Sequence, residues 1–280
     1  VEQLVADRRD DLTPAERRVA EVVVSDPESV AFGTVASIAR MAGASGATVV
    51  RLAARLGYDG FGALQDAVQA DLARRLRPAT ERIREPSPGD TVGRVLQASL
   101  EAVHGTLDVV DRAAFAAAVA RLARRSSAVW IVCGDASDGI GRHAVDGLAM
   151  LRPGVQRVGG SPVRVAALSA RVASGDVVVA LDLRRYDRWL LDWVERAAAA
   201  GAGLVVLTDS AVSPLARAAR EGDQVFVVAA ESAGPFDTYV GALALFDALI
   251  AGVADRTRAA STDALDRVEA AWREAGVLSE

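Results

Sequence analysis

The chain has no lysine: all 32 of its strong bases are arginine, set against 37 acidic residues for a formal net charge of −5 over 280 residues. That usage reads as the composition bias of GC-rich coding DNA, not as an adaptation to a ligand. There is a single cysteine, Cys133, inside an apolar run, so no internal disulfide is available and a buried structural thiol is expected. The two histidines stand at no metal-ligand spacing, which leaves no recognisable metal centre and no cofactor motif. No apolar run is long enough to cross a bilayer, and no signal peptide opens the sequence. Together these absences fit a cytoplasmic protein without a membrane partner. The weak acidity argues against a uniformly basic surface, but charge acts locally. Arg40, Arg51 and Arg55 are close together, and Arg74, Arg75 and Arg77 follow.

What is present begins with Thr34–Arg55, TVASIARMAGASGATVVRLAAR. A first helix starts at a capping Thr34 and carries Ile38, Ala39 and Ala42 on one side. Gly43 then permits a sharp turn that a Cβ would crowd, and Ser45 caps a second helix. On that helix Val49, Leu52, Ala53 and Leu56 recur at the spacing of one inward face. Thr48, Arg51 and Arg55, with Ala47 at the edge, fall on another. The pattern is that of a helix-turn-helix, whose recognition helix anchors one side and offers polar groups to double-stranded DNA on the other. Ser45, Ala47, Thr48, Arg51 and Arg55 are the expected contact residues. An ordinary αα-hairpin has the same local form. The neighbouring sequence favours the DNA reading because it completes a helical unit. Thr13-Pro14-Ala15-Glu16 is a capping box opening a helix with Val19, Ala20, Val22 and Val23. Asp26-Pro27 starts a short helix expected to bring Val30 and Phe32 to the same core, and Tyr58, Phe61 and Leu64 close the bundle.

The composition divides the chain into an all-helical domain over 1–77, a linker over 78–90 with three prolines, a second domain over 91–255 with leading helices, and a helical tail over 256–280. In the second domain β-rich runs alternate with amphipathic stretches. The runs are Ala128–Cys133, Val155–Val158, Asp176–Leu181, Gly203–Thr208 and Gln224–Val228. Near-continuous Val, Ile and Leu imply strands buried on both faces, hence a five-stranded parallel sheet in an α/β/α sandwich. Such sheets bind ligands at the carboxyl ends of their strands. Three loops meet there, 134–139, 182–187 and 208–214. Gly134, Ser137, Asp138, Arg184, Arg185, Ser210 and Ser213 are the expected effector residues, for a small anionic molecule. Arg184 and Arg185 either bind that anion or pair with Asp182 and Asp187 and close the site.

A resemblance covers Leu12 to Val253. LTPAERRVAEVVVSDPESVAF, the helix-turn-helix and LGYDGF resemble the N-terminal domain of RpiR/MurR-type bacterial transcription regulators. GDVVVAL, GAGLVVLTDSAVSPLA and PFDTYVGALALFDAL are similar to the sugar isomerase (SIS) domain of those regulators. The resemblance implies a regulator whose SIS domain senses a phosphorylated sugar or related metabolite, such as a sugar acid, and alters DNA binding. Two departures stand out. Ala136 replaces the second glycine of the family's G-x-G-x-S loop. Asp182, Arg184, Arg185 and Asp187 stand in the loop where the family carries S-x-S-G-x-T, so the usual hydroxyl cradle is absent.

Two other functions fit parts of the chain. A sugar-phosphate isomerase would need a base, for which His143 and Glu231 are the candidates, although a solvated role suits both better; no catalytic residue is expected. A SIS domain without ligand could serve dimerisation alone. A homodimer or higher homo-oligomer is expected in either case, since paired helix-turn-helix units read a palindrome. Phe236–Val253 is apolar on more than one face, so it either meets a partner subunit or is wholly buried in its own domain.

Overall fold

The computed structural model describes residues 1, 4–5, 8–76, 78–84 and 89–277, with the side chains of 10, 25, 28, 71 and 73–76 excepted. Arg77 and the side chains of Arg74 and Arg75 therefore lie outside the described residues, as do 85–88 of the expected linker and 278–280 of the tail. The chain divides into two compact units, Val1–Glu85 and Pro86–Glu280.

In the first unit, helix α1 (Pro14–Ser25) begins at the expected capping box: the Thr13 hydroxyl accepts from the Glu16 backbone N–H, and the Glu16 carboxylate accepts from Thr13. Helix α2 (Pro27–Phe32) starts at Asp26, whose carboxylate takes the Ser29 N–H. Helices α3 (Val35–Met41) and α4 (Gly46–Arg55) form the helix pair, and α5 (Gly60–Leu76) packs against α2 and α4. Val19, Val30, Ile38, Val49, Leu52 and Leu64 are fully buried in one core. Each such side chain contributes roughly 1.5–3 kcal/mol on burial. Phe32 is the exception to the sequence reading, standing 78% exposed. It lies two residues beyond buried Val30, about 200° further round the helix, so the two cannot share a face. Gly43 also has a different reason from the expected one. Nothing lies within 4 Å of where its Cβ would sit, but its φ is +54°, in the left-handed region that side chains disfavour.

A short helix, α6 (Ala79–Arg82), stands in the segment expected to be a linker, with Pro78 at its N-cap. The second unit opens with α7 (Thr91–Leu107) and α8 (Arg112–Leu122). Five parallel strands follow: β1 (Val129–Cys133), β2 (Val155–Val158), β3 (Val177–Leu181), β4 (Gly203–Thr208) and β5 (Gln224–Val227), in the order β2-β1-β3-β4-β5. Every residue of β1 and β3 is buried, as their unbroken apolar runs require. Alternate residues serve opposite faces. Ile131, Val179 and Val205 join one core with Leu148 and Phe246, while Trp130, Val178 and Val206 join another with Leu190 and Trp193.

The connecting helices are α9 (Asp138–Leu151), α10 (Pro162–Ser169), α11 (Arg188–Ala199) and α12 (Pro214–Arg217). Helix α13 (Val240–Arg256) packs against α7, α8, α9 and the last helix, α14 (Arg258–Ala275). Its Leu245, Phe246, Leu249 and Val253 are buried within this unit. The many-sided apolar character of 236–253 is thus explained largely by intradomain packing. Strand β1 leads to β2 on one side of the sheet and β3 lies on the other, so the loops after β1 and β3 diverge and leave a crevice at the carboxyl edge.

Candidate functional site

Helix α4 presents Ala47, Val50, Arg51 and Ala54 to solvent, while Val49, Leu52, Ala53 and Leu56 hold its other side in the core. Ser45 accepts the Thr48 N–H at 3.2 Å and caps the helix as expected. Thr48 itself is buried, at 4% exposure, against the expectation that it faces a groove. Its position one turn into the helix folds its hydroxyl back to the Ser45 hydroxyl at 2.9 Å. Arg51 is exposed and donates from Nη2 to the Thr48 hydroxyl at 3.1 Å, which steadies the guanidinium at the surface. Arg55 points out of the core as expected, half-exposed, and is also engaged within its own unit. Its Nε donates to the buried Glu16 carboxylate at 3.0 Å and its Nη1 to the Asp11 carbonyl at 3.2 Å, so the side chain braces α4 against α1. Burial acts to raise the Glu16 pKa, but donors from Thr13 and the Arg55 cation outweigh it and hold the carboxyl below its ordinary value. Val50 and Ala54 were missed, although their spacing from Ala47 and Arg51 places them on the same strip. The exposed strip is small residues around Arg51, with the half-exposed Arg55 at its edge, a shape that allows close approach to a groove.

At the carboxyl edge of the sheet the expected effector residues are gathered but largely engaged with one another. Ser137 is buried and donates to the Gly134 carbonyl at 3.1 Å. Ser213 caps α12 by accepting the Ala216 N–H at 2.9 Å and also accepts the Thr208 hydroxyl at 2.9 Å, and Ser210 accepts the Val212 N–H at 3.3 Å. Asp138 pairs with Arg157. Arg184 pairs with Asp237 at 3.0 Å, a partner neither reading of the sequence named. Arg185 is exposed at a φ of +72°.

Aspartates fill the loop where the hydroxyl cradle is absent. The Asp182 carboxylate accepts the N–H groups of Leu183 at 3.0 Å and Asp187 at 2.7 Å. Asp209 accepts the Arg184 N–H at 3.1 Å and the Tyr186 hydroxyl at 2.6 Å, and Asp187 accepts the Asp135 N–H at 2.7 Å. Burial, with Asp187 and Asp209 nearby, pushes the Asp182 carboxyl up to about 7 despite its two amide donors. Gly134 is required here because an added Cβ would lie 2.3 Å from Asp182 Oδ1.

Beside this edge, toward β2, lies a cavity of about 630 Å³. Cys133, Val158, Val165 and Trp193 form its apolar interior, with Trp189 at the side. Its charged groups are Asp135, Asp138 and Asp192, interleaved with Arg157 and Arg196. Burial raises the Cys133 thiol to about 12, so it is inert, as expected of a structural cysteine. His143 and Glu231 do not line this cavity; His143 is exposed and bonds Asp247 at 2.7 Å, and Glu231 is exposed. Among the described residues there is no cluster of metal-ligating side chains and no helix long and apolar enough to cross a membrane.

Comparison with known proteins bears on the two domains. The rpiR-family helix-turn-helix model matches residues 1–75, and the SIS domain model matches 148–252. The chain joins an rpiR-family helix-turn-helix domain to a SIS domain. It is 31% identical over 115 residues to the HTH-type transcriptional regulator HexR of Pseudomonas aeruginosa, covering 39% of this chain and 40% of HexR. The sugar isomerase domain of an RpiR transcription factor from Sphaerobacter thermophilus superposes with a TM-score of 0.58 at 28% identity, over 65% of this chain and 99% of that one. The Vibrio vulnificus NanR protein, solved with ManNAc-6P, gives a TM-score of 0.58 at 22% identity over 99% of this chain and 98% of NanR, a likeness of fold. The chain spans about two-fifths of the length of the curated relatives it matches. Within the SIS domain, the three loops at the strand ends are those the sequence marked, but their carboxylates occupy donors that a bound anion would need.

Proposed function

We propose that this protein is a DNA-binding transcriptional regulator whose SIS domain senses a sugar-derived metabolite and modulates operator binding. The observation that carries the reading is the rpiR-type helix pair with one exposed strip, Ala47, Val50, Arg51 and Ala54, on a helix anchored by its opposite side. HexR supports regulation, and the complex of NanR with ManNAc-6P supports sensing of a sugar-derived metabolite. Operator binding implies a cytoplasmic protein. Catalysis is not part of the proposal, because neither His143 nor Glu231 lines the cavity beside the loops. An anionic effector at the loop after β3 has one specific support, the exposed Arg185.

Function as a homodimer belongs to the same reading, and its surface is α7 rather than α13. Val92, Val95, Leu96 and Leu100 lie on α7 at 77%, 50%, 59% and 48% exposure. Apolar side chains at this spacing on one helix form a stripe that a second copy can cover. Selection of genomic fragments by the full chain tests DNA recognition. Enrichment of a palindromic site whose binding is lost in Arg51→Ala supports it; retention of no fragment above the level of random DNA sinks it.

A further inference from the structure

We propose that the cavity between the ends of β1 and β2 and helices α10 and α11 is the sensing site, and that it takes an uncharged sugar instead of a sugar phosphate. The inference deepens the sensing role proposed above and rests on it only for its regulatory meaning.

The first argument concerns where a phosphate could go. At the loops after β1 and β3, the N–H groups of Asp135, Leu183, Arg184 and Asp187 all donate to internal aspartates. A phosphate there must displace those carboxylates and then stand among them. Arg184 gives little compensation, because Asp237 holds it, and the exposed Arg185 alone would have to offset Asp182, Asp187 and Asp209. Charge repulsion and loss of charge-assisted bonds both oppose it.

The second argument is the cavity itself. Its volume, about 630 Å³, lies within the range of roughly 300–1,000 Å³ usual for small-ligand sites. Trp193 is buried at the back, its indole N–H donating to the Val165 carbonyl at 3.2 Å, so that ring is fixed. Trp189 is half-buried at the side, one turn earlier on α11. The half-buried Trp189 indole beside a polar rim suits a ring with apolar C–H faces and polar edges.

The rim decides the charge of the occupant. Three carboxylates and two guanidiniums line it, with Arg142 3.9 Å from Asp138 and Arg164 beside Gly160, so charges of both signs are interleaved around the rim and neither a phosphate nor a cation meets a surface of opposite charge alone. A cation would meet Arg157 and Arg196. Hydroxyl groups donate to carboxylates and accept from guanidiniums, so a neutral polyhydroxylated ring matches both signs at once. The Arg157 guanidinium is placed by Asp138 and lies over Gly159, where a Cβ would come within 2.8 Å of its Nη1. The cavity adjoins the carboxyl edge of the sheet, on the β2 side of the diverging connections where ligands of open α/β sheets bind.

Tryptophan fluorescence of the full chain, without DNA, tests the pocket directly. The probes are free glucose, galactose, mannose, N-acetylglucosamine, N-acetylmannosamine, xylose, arabinose and maltose, alongside the 6-phosphates of the hexoses and inorganic phosphate. The expected result is saturable binding of at least one free sugar, at least tenfold tighter than inorganic phosphate and, for a hexose, than its 6-phosphate. Trp189→Ala and the exposed Asp192→Asn should each weaken it at least tenfold, with unchanged circular dichroism. Tighter binding of a phosphate ester, insensitivity of sugar binding to both variants, or no saturable binding by any free sugar overturns the proposal. Fragment selection by ligand-free protein reads DNA recognition separately, so failure of the pocket and failure of the regulator reading remain distinguishable.

Discussion

Replacing Arg55 by alanine separates two roles that the same residue could have on helix α4. As a phosphate contact, Arg55 would be dispensable for folding and needed for DNA. As the partner of Glu16, it should matter first for stability. The pair is 3.0 Å apart, with side-chain exposures of 50% for Arg55 and 3% for Glu16. Two unit charges at that distance attract by about 5 kcal/mol at an effective dielectric near 20. Solvent screening of the half-exposed guanidinium reduces this to about 1 kcal/mol. Loss of the bond to the Asp11 carbonyl adds about 0.5–1 kcal/mol. A total near 2 kcal/mol lowers the melting midpoint of a unit this size by about 8–16 °C. All four tryptophans (Trp130, Trp189, Trp193 and Trp272) lie in the second unit, so fluorescence should not follow this transition, whereas far-UV circular dichroism should. The acid response gives a second reading. Because the Glu16 pKa is depressed in the folded state, its contribution is present above the ordinary glutamate value and lost as pH falls through the depressed one. In Arg55→Ala that acid-side loss should shrink. Unchanged melting together with a large loss of DNA affinity would refute this reasoning and restore Arg55 to the DNA interface.

Arg51→Ala should cost about 1–3 kcal/mol of operator affinity and relax one base position if the guanidinium reads guanine, or reduce the salt slope by about one if it meets only phosphate; anisotropy at several salt concentrations distinguishes them. Asp182 has its folded pKa raised to about 7, so its contribution to SIS-domain stability is fully present below the ordinary aspartate value and is lost as pH rises through 7. Urea midpoints from tryptophan fluorescence should therefore be higher near pH 5 than near pH 8, and Asp182→Asn should flatten the difference. Gly134→Ala should destabilise the same domain by about 1–3 kcal/mol in urea titrations, since the new methyl would overlap the Asp182 carboxylate at a backbone φ of −58° that alanine otherwise accepts. Leu96→Asp, on the 59%-exposed stripe of α7, should shift the sedimenting species from dimer to monomer while leaving circular dichroism unchanged.

The sequence by itself determined the parts governed by short-range periodicity and capping. Thr13 with Glu16, and Ser45 before α4, mark helix starts through bonds within three residues. The spacing of Val49, Leu52, Ala53 and Leu56 names a buried face, and the unbroken valine runs of β3 require a sheet covered on both sides. Gly134 and the loops at the strand ends followed from the same alternation. Only the tertiary structure decided what the remaining polar groups do. Arg55 meets Glu16 across 39 residues, and Arg184 meets Asp237 across 53, distances over which no local pattern specifies a partner. Thr48 lies near the boundary between the buried and exposed faces of α4, where a small rotation decides whether a hydroxyl points out or back to its cap. The cavity draws on β1, β2, α10 and α11, whose side chains become neighbours only when parallel strands stack through crossover helices. Local backbone preference fixes which residues face inward, whereas the pairing of charges depends on distances that exist only after the sheet and bundle have closed.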